Sequence, residues 1–273
     1  MKGSRLMHAS HVQLWIASPA DFAEADWREF EALLDGVEQA RADSFQLPAD
    51  RRAYILAHAL RRIALGEELN LLPSRLLFSS EPAGRPTLLY PCCRGLGFSH
   101  AHTREAVVFA LSREGLLGVD IEAHRPLQGG FDLLAPFLSQ PDGFASSSSP
   151  DEPDAEAQAQ FFFHWTAIEA FWKAAGTGLA TSNPRVSFER CRADLFHAGL
   201  AGDASPPLAP WVIPVAAPQG FSISLAVQSP DVRVFTRRIT GLSLKGHGMS
   251  DQSHFFPRPE RARFGTVPRA NII

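Results

Sequence analysis

The sequence predicts an α+β fold composed of two halves of similar plan. Predicted elements follow the order strand, helix, strands, and the same order then returns in the second half. The second half has the clearest periodicities. Apolar residues spaced by threes and fours predict a helix over residues 161–179, and strict alternation predicts a strand over residues 116–122.

The first half begins with an apolar run at residues 12–17 that predicts a strand. Helical spacing follows at residues 26–34 and again at residues 48–65, where a proline and an aspartate suit the helix start. The longer helix has four arginines, for most of which we predict a solvated position: Arg51, Arg52, Arg61 and Arg62. Two short strands are predicted at residues 76–78 and 87–90, around a turn that contains Gly84 and Pro86.

Residues 107–111 and 116–122 have the pattern of a hairpin. We predict a short helix at residues 135–138 and a long loop, rich in serine, proline and acids, at residues 139–160. Strands are predicted after the central helix, at residues 184–189, 211–215 and 221–227. The predicted organisation is therefore an N-terminal half over residues 1–115, a C-terminal half over 116–229, and a basic flexible tail over 230–273.

Composition excludes several classes of protein. The chain has 273 residues, 45% of them hydrophobic and 20% charged, as in ordinary globular proteins. A net charge of −3 favours neither nucleic acid nor membrane as a partner. The three cysteines have no metal-ligand spacing and no evident paired base, so we expect reduced thiols. Without a leader-like start or a long apolar run, the expected location is cytoplasmic.

Two pairs of charged residues are candidates for chemistry. Alternation places Asp120 and Glu122 side by side on one face of their strand, which is either a solvated sheet edge or a site for a hard cation such as Mg²⁺. Glu169 and Lys173 are four residues apart on the central helix, where they form either a surface ion pair or part of a site. Glu169 could supply a third carboxylate to the cation.

The residues that carry these charges resemble the motifs of the Sfp-type 4′-phosphopantetheinyl transferases. That family has (I/V)G(I/V)D(I/V)E followed by WxxKEAxxKxxGxGL, and this chain has GVDIE at 118–122 and WTAIEAFWKAAGTGL at 165–179. Gly84-Arg85-Pro86 resembles its G(K/R)P turn, and Phe98-Ser99-His100 resembles its SH motif. Residues 220–226 resemble its closing strand. The resemblance covers the chain from about Arg41 to Val227.

The resemblance implies a pseudo-duplicated fold with the active site in the cleft between the halves. It implies transfer of the 4′-phosphopantetheine arm of coenzyme A to a serine of an acyl or peptidyl carrier protein, with release of 3′,5′-ADP. The implied Mg²⁺ ligands are Asp120, Glu122 and Glu169. The implied catalytic residues are Glu169 and Lys173, and the implied coenzyme A contacts are Arg41, Arg52, Arg85, Ser99, His100 and Lys173. We expect a monomer, and a role in secondary metabolism.

One departure from the family pattern concerns Ile168, which occupies the position of a family lysine. A cationic contact to phosphate is therefore expected to be missing, and Ile168→Lys is predicted to keep or raise the rate. Two alternatives stay open at this stage. One is a non-catalytic relative that binds coenzyme A or carrier protein. The other is a metal-dependent hydrolase that uses His100, His102 and Asp120, for which a softer metal such as Zn²⁺ would be expected.

Overall fold

The structure is a computed structural model that describes residues 10–79, 85–126, 130–139, 155–180, 182–202 and 209–240. The α-helices are α1 (Glu24–Leu33), α2 (Gly36–Asp43), α3 (Pro48–Leu69) and α4 (Ala155–Ala175). The strands of the first half are β1 (Ser10–Ala17), β2 (Leu77–Ser79), β3 (Thr87–Tyr90), β4 (Gly97–His102) and β5 (Val107–Ser112). Those that follow are β6 (Leu117–Ala123), β7 (Val186–Arg192), β8 (Leu195–Leu200), β9 (Trp211–Val215), β10 (Phe221–Val227) and β11 (Val232–Ile239).

The strands form two large sheets and one two-stranded ribbon. Among the described strands, the first sheet has the order β11-β1-β5-β4, the second has the order β6-β10-β9-β8-β7, and β2 and β3 form the ribbon. The pairings are antiparallel except that of β1 with β11, which is parallel. The predicted α+β class is confirmed.

Apolar residues of both sheets form one shared cluster, so the sheets pack face to face. Val12, Leu14 and Val108 of the first sheet join Val119 and Leu225 of the second in this cluster. The opposite face of the first sheet packs against α3, and the opposite face of the second packs against α4. Successive side chains along a strand therefore point to opposite faces of its sheet and pack into different apolar clusters. Each sheet has its own long helix, as the repeated order of elements predicted.

The predicted hairpin at residues 107–122 is wrong. β5 lies in the first sheet and β6 in the second, and the chain passes from one sheet to the other at Gly115, whose φ is +110°. Alternation correctly predicted both strands, but it specifies which side chains share a face and does not specify which strand lies alongside.

The prediction of a tail from residue 230 is wrong for Val232–Ile239. This segment is β11, and it pairs along its whole length with β1, from Ser10 opposite Val232 to Ala17 opposite Ile239. Residues 241–273 lie outside the described part of the chain, as does most of the predicted loop. The predicted short helix at 135–138 is also wrong, because the 3₁₀ turn spans Gly130–Leu134 and Leu138 instead bridges to Val186.

Two of the four arginines on α3 are buried rather than solvated. Arg61 and Arg62 are 3% and 2% exposed, and both form ion pairs with Glu38 of α2. Their guanidinium groups also lie over the ring of Phe78, at 4.1 and 5.0 Å from its centre. Buried cations are retained where they are paired and hydrogen-bonded, and Glu38 meets that need from a helix that helical spacing did not predict.

The cysteines Cys92, Cys93 and Cys191 are free thiols. Among the helices that the structure describes, none combines the length and the hydropathy needed to cross a bilayer.

Candidate active site

The candidate site lies where β4 of the first sheet meets β6 and α4 of the second half. The hydroxyl oxygen of Ser99 on β4 accepts a hydrogen bond of 3.1 Å from the backbone N–H of Val119 on β6. This bond is buried and joins the two halves directly beside the motif residues of β6. The predicted cleft therefore has a physical basis in the contact of β4 with β6.

Gly118 sets the distance between β6 and α4. A Cβ atom on Gly118 would lie 2.0 Å from the carbonyl oxygen of Ala170 and 2.5 Å from the nitrogen of Ala174. Only a residue without a side chain allows the helix backbone to approach this closely. The close approach places Glu169 and Lys173 of α4 against the face of β6 that has Asp120 and Glu122.

Asp120 is the most deeply buried carboxylate of the site. The residue is 6% exposed, and its Oδ1 accepts a 2.6 Å hydrogen bond from Nζ of Lys173. Its other oxygen, Oδ2, is buried and has no hydrogen-bond partner among the described residues. Burial raises the pKa of Asp120 to about 6, the charge of Lys173 opposes that rise, and the negative charges of Glu169 and Glu122 add to it. The three predicted metal ligands are thus electrostatic neighbours.

Glu169 is partly buried on α4, and this burial raises the pKa of its carboxyl above the usual range. Glu122, also partly buried, accepts a 2.8 Å bond from Arg125, so it is held toward the surface. Across the described residues, no three His, Cys, Asp or Glu side chains are arranged as a group that could hold a metal ion. The structure therefore brings the predicted ligands near one another without converging them on one point.

A cavity of about 180 Å³ opens beside this cluster. Its lining comes from both halves of the chain: Arg85, Pro86, Phe98, Ser99, His100, Lys173, Gly176 and Gly178. Gly176 and Gly178 have φ of +82° and +67°, and these left-handed residues turn the chain away at the end of α4. Of the lining residues, Arg85, Ser99, His100 and Lys173 were predicted from the motifs.

The guanidinium group of Arg85 reaches across the cavity wall. It donates long hydrogen bonds to the carbonyl of Phe98 at 3.3 Å and to that of Ala174 at 3.5 Å. Carbonyl partners at these distances leave the planar donors available for a stronger acceptor such as a phosphate. Gly84, which precedes Arg85 in the predicted turn, lies outside the described residues.

Arg41 and Arg52 lie elsewhere and are not among the residues that line the cavity. Arg41 is exposed on α2, with its guanidinium group 5.1 Å from the ring centre of Phe45. Arg52 is exposed on α3 and donates a 2.7 Å bond to Glu24. Their assignment to coenzyme A stays a prediction.

His100 has neighbours on α3 that the motifs did not predict, namely His58 and Arg61. Nδ1 of His100 is buried and no described residue hydrogen-bonds to it, and the ring of His100 contacts that of His58 edge to face, with the ring centres 5.2 Å apart. Burial, followed by the charges of His58 and Arg61, lowers the pKa of His100 well below its usual range. The imidazole at the cavity is therefore neutral near pH 7. His58 and Arg61 are on α3, where apolar spacing predicts the helix but does not identify a polar residue that faces a distant strand.

Ile168 is not at the cavity, contrary to the prediction from the family lysine. It is 1% exposed and belongs to the apolar cluster between α4 and the second sheet, with Leu134, Phe171 and Val186. Its side chain therefore replaces no phosphate contact in this structure, and Ile168→Lys is no longer expected to keep or raise the rate.

Ile168→Lys is instead expected to lower the free energy of unfolding by about 3 kcal/mol or more, because an ammonium group would lose its water without gaining a partner. Urea denaturation followed by circular dichroism measures this. The matched control Ile168→Leu keeps the volume and should cost less than about 1.5 kcal/mol. Equal stabilities of the lysine and leucine variants would contradict the buried position.

His58 makes stability depend on pH. Its Nδ1 lies 3.0 Å from the carbonyl of Tyr54, and burial, with a further contribution from Arg61, lowers the pKa of His58 from 6.5 to about 3. The folded chain thus binds fewer protons than the unfolded chain below pH 6.5, so stability is lost as pH falls from 6.5 toward 3. From this group we expect a free energy of unfolding about 2 kcal/mol lower at pH 5 than at pH 7.

Urea denaturation of the parent chain and of His58→Phe at both pH values tests this expectation. The phenylalanine keeps a ring against Tyr54 and cannot bind a proton, so the loss between pH 7 and pH 5 should shrink. An equal loss in both proteins would assign the acid sensitivity to other groups.

The sequence is similar to known proteins of one enzyme family. Residues 116–206 match the 4′-phosphopantetheinyl transferase superfamily. The 4′-phosphopantetheinyl transferase HetI of Nostoc sp. is 31% identical over 173 residues, which are 63% of this chain and 71% of HetI. The protein slr0495 of Synechocystis sp., provisionally named as the same enzyme, is 31% identical over 55% of this chain and 60% of its own length. The 4′-phosphopantetheinyl transferase psf-1 of Bacillus pumilus is 28% identical over 52% and 58%.

The matched superfamily segment contains β6, α4 and β7, and hence Asp120, Glu122, Glu169 and Lys173. Together with the similarity to HetI, which extends over more than two thirds of that protein, this defines the class. The chain belongs to the 4′-phosphopantetheinyl transferase family.

Proposed function

We propose that this chain transfers the 4′-phosphopantetheine arm of coenzyme A to a serine hydroxyl of an apo carrier protein, with release of 3′,5′-ADP. One observation carries the proposal: a buried aspartate paired with a lysine lies near two further carboxylates, beside a cavity with an arginine and a histidine on its wall. Such an arrangement places donors for a pyrophosphate next to acceptors for a cation and a proton.

Asp120, Glu122 and Glu169 would hold the Mg²⁺ ion that the family resemblance implies. Asp120 Oδ2 supports this assignment, since a buried carboxylate oxygen without a hydrogen-bond partner is otherwise costly. Oxygen donors of this kind are also those that Mg²⁺ prefers. When bound, the ion would neutralise charge on the pyrophosphate.

The residues of the chain divide the remaining work. Arg85 and His100 line the cavity and would donate hydrogen bonds to phosphate oxygens, Arg85 with two parallel N–H groups and His100 as a neutral imidazole. Ser99 already accepts from Val119, so it would contribute through its remaining hydroxyl proton. Lys173 would neutralise charge on the departing phosphate.

Glu169 would accept the proton of the attacking serine. Its raised pKa makes it a stronger base than an exposed glutamate, and partial burial leaves it reachable from solvent. The reaction is then a displacement at phosphorus. The serine oxygen bonds to the phosphorus of the arm, the bond from that phosphorus to the bridging oxygen of the pyrophosphate breaks, and 3′,5′-ADP leaves with that oxygen.

The proposal extends to the setting of the reaction. We infer acyl or peptidyl carrier domains of secondary-metabolite pathways as acceptors, a monomeric enzyme, and a cytoplasmic location without nucleic-acid or membrane partners. The net charge of −3 supports the last point, because polyanionic partners favour basic proteins.

Intact-mass measurement of an apo carrier protein tests the proposal. Incubation with the chain, coenzyme A and Mg²⁺ should add one phosphopantetheine arm to the carrier, and a chelator should prevent the addition. No added mass with acyl and peptidyl carriers of several kinds, under conditions where the chain binds coenzyme A, would favour the non-catalytic alternative.

A further inference from the structure

The ion pair between Lys173 and Asp120 lies near the other two proposed metal ligands, Glu122 and Glu169. Nζ of Lys173 is 2.6 Å from Oδ1 of Asp120, and the two side chains are 29% and 8% exposed. Lys173 therefore holds the buried carboxylate from the more accessible side. In the described part of the chain, no group donates a hydrogen bond to Oδ2 of Asp120.

The surroundings of this pair are strongly negative. The charges of Glu169 and Glu122 both act on Asp120, and Glu122 has an exposed partner of its own in Arg125. A single ammonium group thus neutralises the deepest member of a group of three carboxylates. An ammonium ion in this position supplies the charge that a metal ion would otherwise supply.

Lys173 also lines the cavity, so two acceptors compete for its ammonium group. One is the carboxylate of Asp120, and the other is any anion that enters between Arg85 and His100. A lysine has four flexible methylene groups and donors that rotate freely, so it can exchange one acceptor for the other without movement of α4.

We propose that Lys173 is a place-holding cation: it occupies Asp120 in the ligand-free protein and leaves Asp120 for the anionic substrate, which makes binding of the divalent metal ion depend on that substrate. The inference rests on the proposed metal assignment. Because coupling between two ligands is reciprocal, the metal ion also strengthens binding of the anion by the same factor.

Binding of Mn²⁺ at pH 8 tests the proposal without any catalytic turnover. Isothermal titration or the electron paramagnetic resonance signal of free Mn²⁺ gives the dissociation constant, with blanks for Mn²⁺ bound by coenzyme A itself. Without coenzyme A, Lys173→Met should bind Mn²⁺ at least about tenfold more tightly than the parent chain, since removal of a contacting cation removes the competitor. Coenzyme A should tighten Mn²⁺ binding to the parent chain and have a much smaller effect on Lys173→Met.

Two further variants separate the position of the charge from its presence. Lys173→Arg keeps a cation against Asp120 and should bind Mn²⁺ as weakly as the parent chain. Arg192→Gln removes an equal charge from an exposed pair with Asp194 and should leave Mn²⁺ binding unchanged. If Arg192→Gln lowered the dissociation constant for Mn²⁺ as much as Lys173→Met does, net charge alone would explain the change, and the proposal would be overturned.

Asp120→Asn distinguishes failure of this inference from failure of the metal assignment. If this variant binds Mn²⁺ as well as Lys173→Met does, the metal site itself is elsewhere. If it binds none, while the parent chain and Lys173→Met bind Mn²⁺ equally, the site stands and the place-holding role is overturned. If Lys173→Met fails to fold, the parent chain still provides a test. An affinity of the parent chain for Mn²⁺ that is the same with and without coenzyme A would overturn the place-holding role and leave the metal assignment standing.

Discussion

Asp120→Asn is expected to lower the rate of phosphopantetheine transfer by at least about a thousandfold, the equivalent of about 4 kcal/mol in the activation barrier. The amide retains the shape of the side chain but removes the negative charge that Lys173 contacts and that a cation would need. Intact-mass kinetics with saturating coenzyme A measures this loss.

The same substitution is expected to keep or raise the stability of the fold. The pKa of Asp120 is raised from 3.8 to about 6, so the folded chain binds more protons than the unfolded chain between these values, and stability falls as pH rises through them. Above pH 6 the buried charge therefore lowers the free energy of unfolding by up to about 3 kcal/mol. The neutral amide has no such cost. Urea denaturation at pH 7 gives the comparison.

Asp194→Asn is the matched control, because Asp194 is exposed in a pair with Arg192 and lies on the β7–β8 turn. It should transfer at the parental rate. Full transfer by Asp120→Asn would contradict the assigned role of the carboxylate, and unfolding of that variant would contradict the assigned cost of the buried charge.

Gly118→Ala is expected to have the largest effect on the fold among single-methyl additions at the site. The new Cβ would have to displace backbone atoms of Ala170 and Ala174, and helix backbone cannot move aside as a side chain can. We expect a loss of about 3 kcal/mol or more in the free energy of unfolding, and a loss of transfer even where the chain stays folded, since Glu169 and Lys173 move away from Asp120.

Gly36→Ala provides the comparison. Gly36 is the first residue of α2, and a Cβ there has no atom within 4 Å, so this variant should be as stable as the parent chain or slightly more stable. Thermal denaturation of both variants, with transfer assayed below the transition, measures the two effects. Equal stability of the two alanine variants would mean that β6 and α4 do not approach as closely as described.

The sequence was sufficient for elements with a clear local pattern. Strands β9 and β10 have their predicted bounds, because short apolar runs between turn residues are typical of buried strands, and α4 has apolar residues at the predicted helical spacing. The four charged motif residues lie near one another, with Lys173 in contact with Asp120, although the carboxylates among the described residues do not form a metal-binding group. Two of these residues are on β6 and two are on α4, so they become neighbours once this strand packs against this helix. Gly118 permits that packing.

Long-range partners could not be predicted in this way. Arg61 and Arg62 have the spacing of surface residues, and their burial depends on Glu38, which lies more than twenty positions earlier along the chain. Ile168 matched a lysine position in the motif, although its direction on α4 is toward the core. β11 has apolar residues at Val232, Val234 and Phe235, but its three arginines and the proline that precedes it concealed the strand.

Strand β11 has a consequence for biosynthesis. β1 ends at Ala17 and β11 begins at Val232, so β1 leaves the ribosome long before its partner does. During the interval β1 has one open edge, and open edges of apolar strands are sites of aggregation. The first sheet is complete only when β11 has paired with β1, so the protein reaches its final topology late, through a pairing of residues that are more than 200 positions apart, such as Ser10 and Val232.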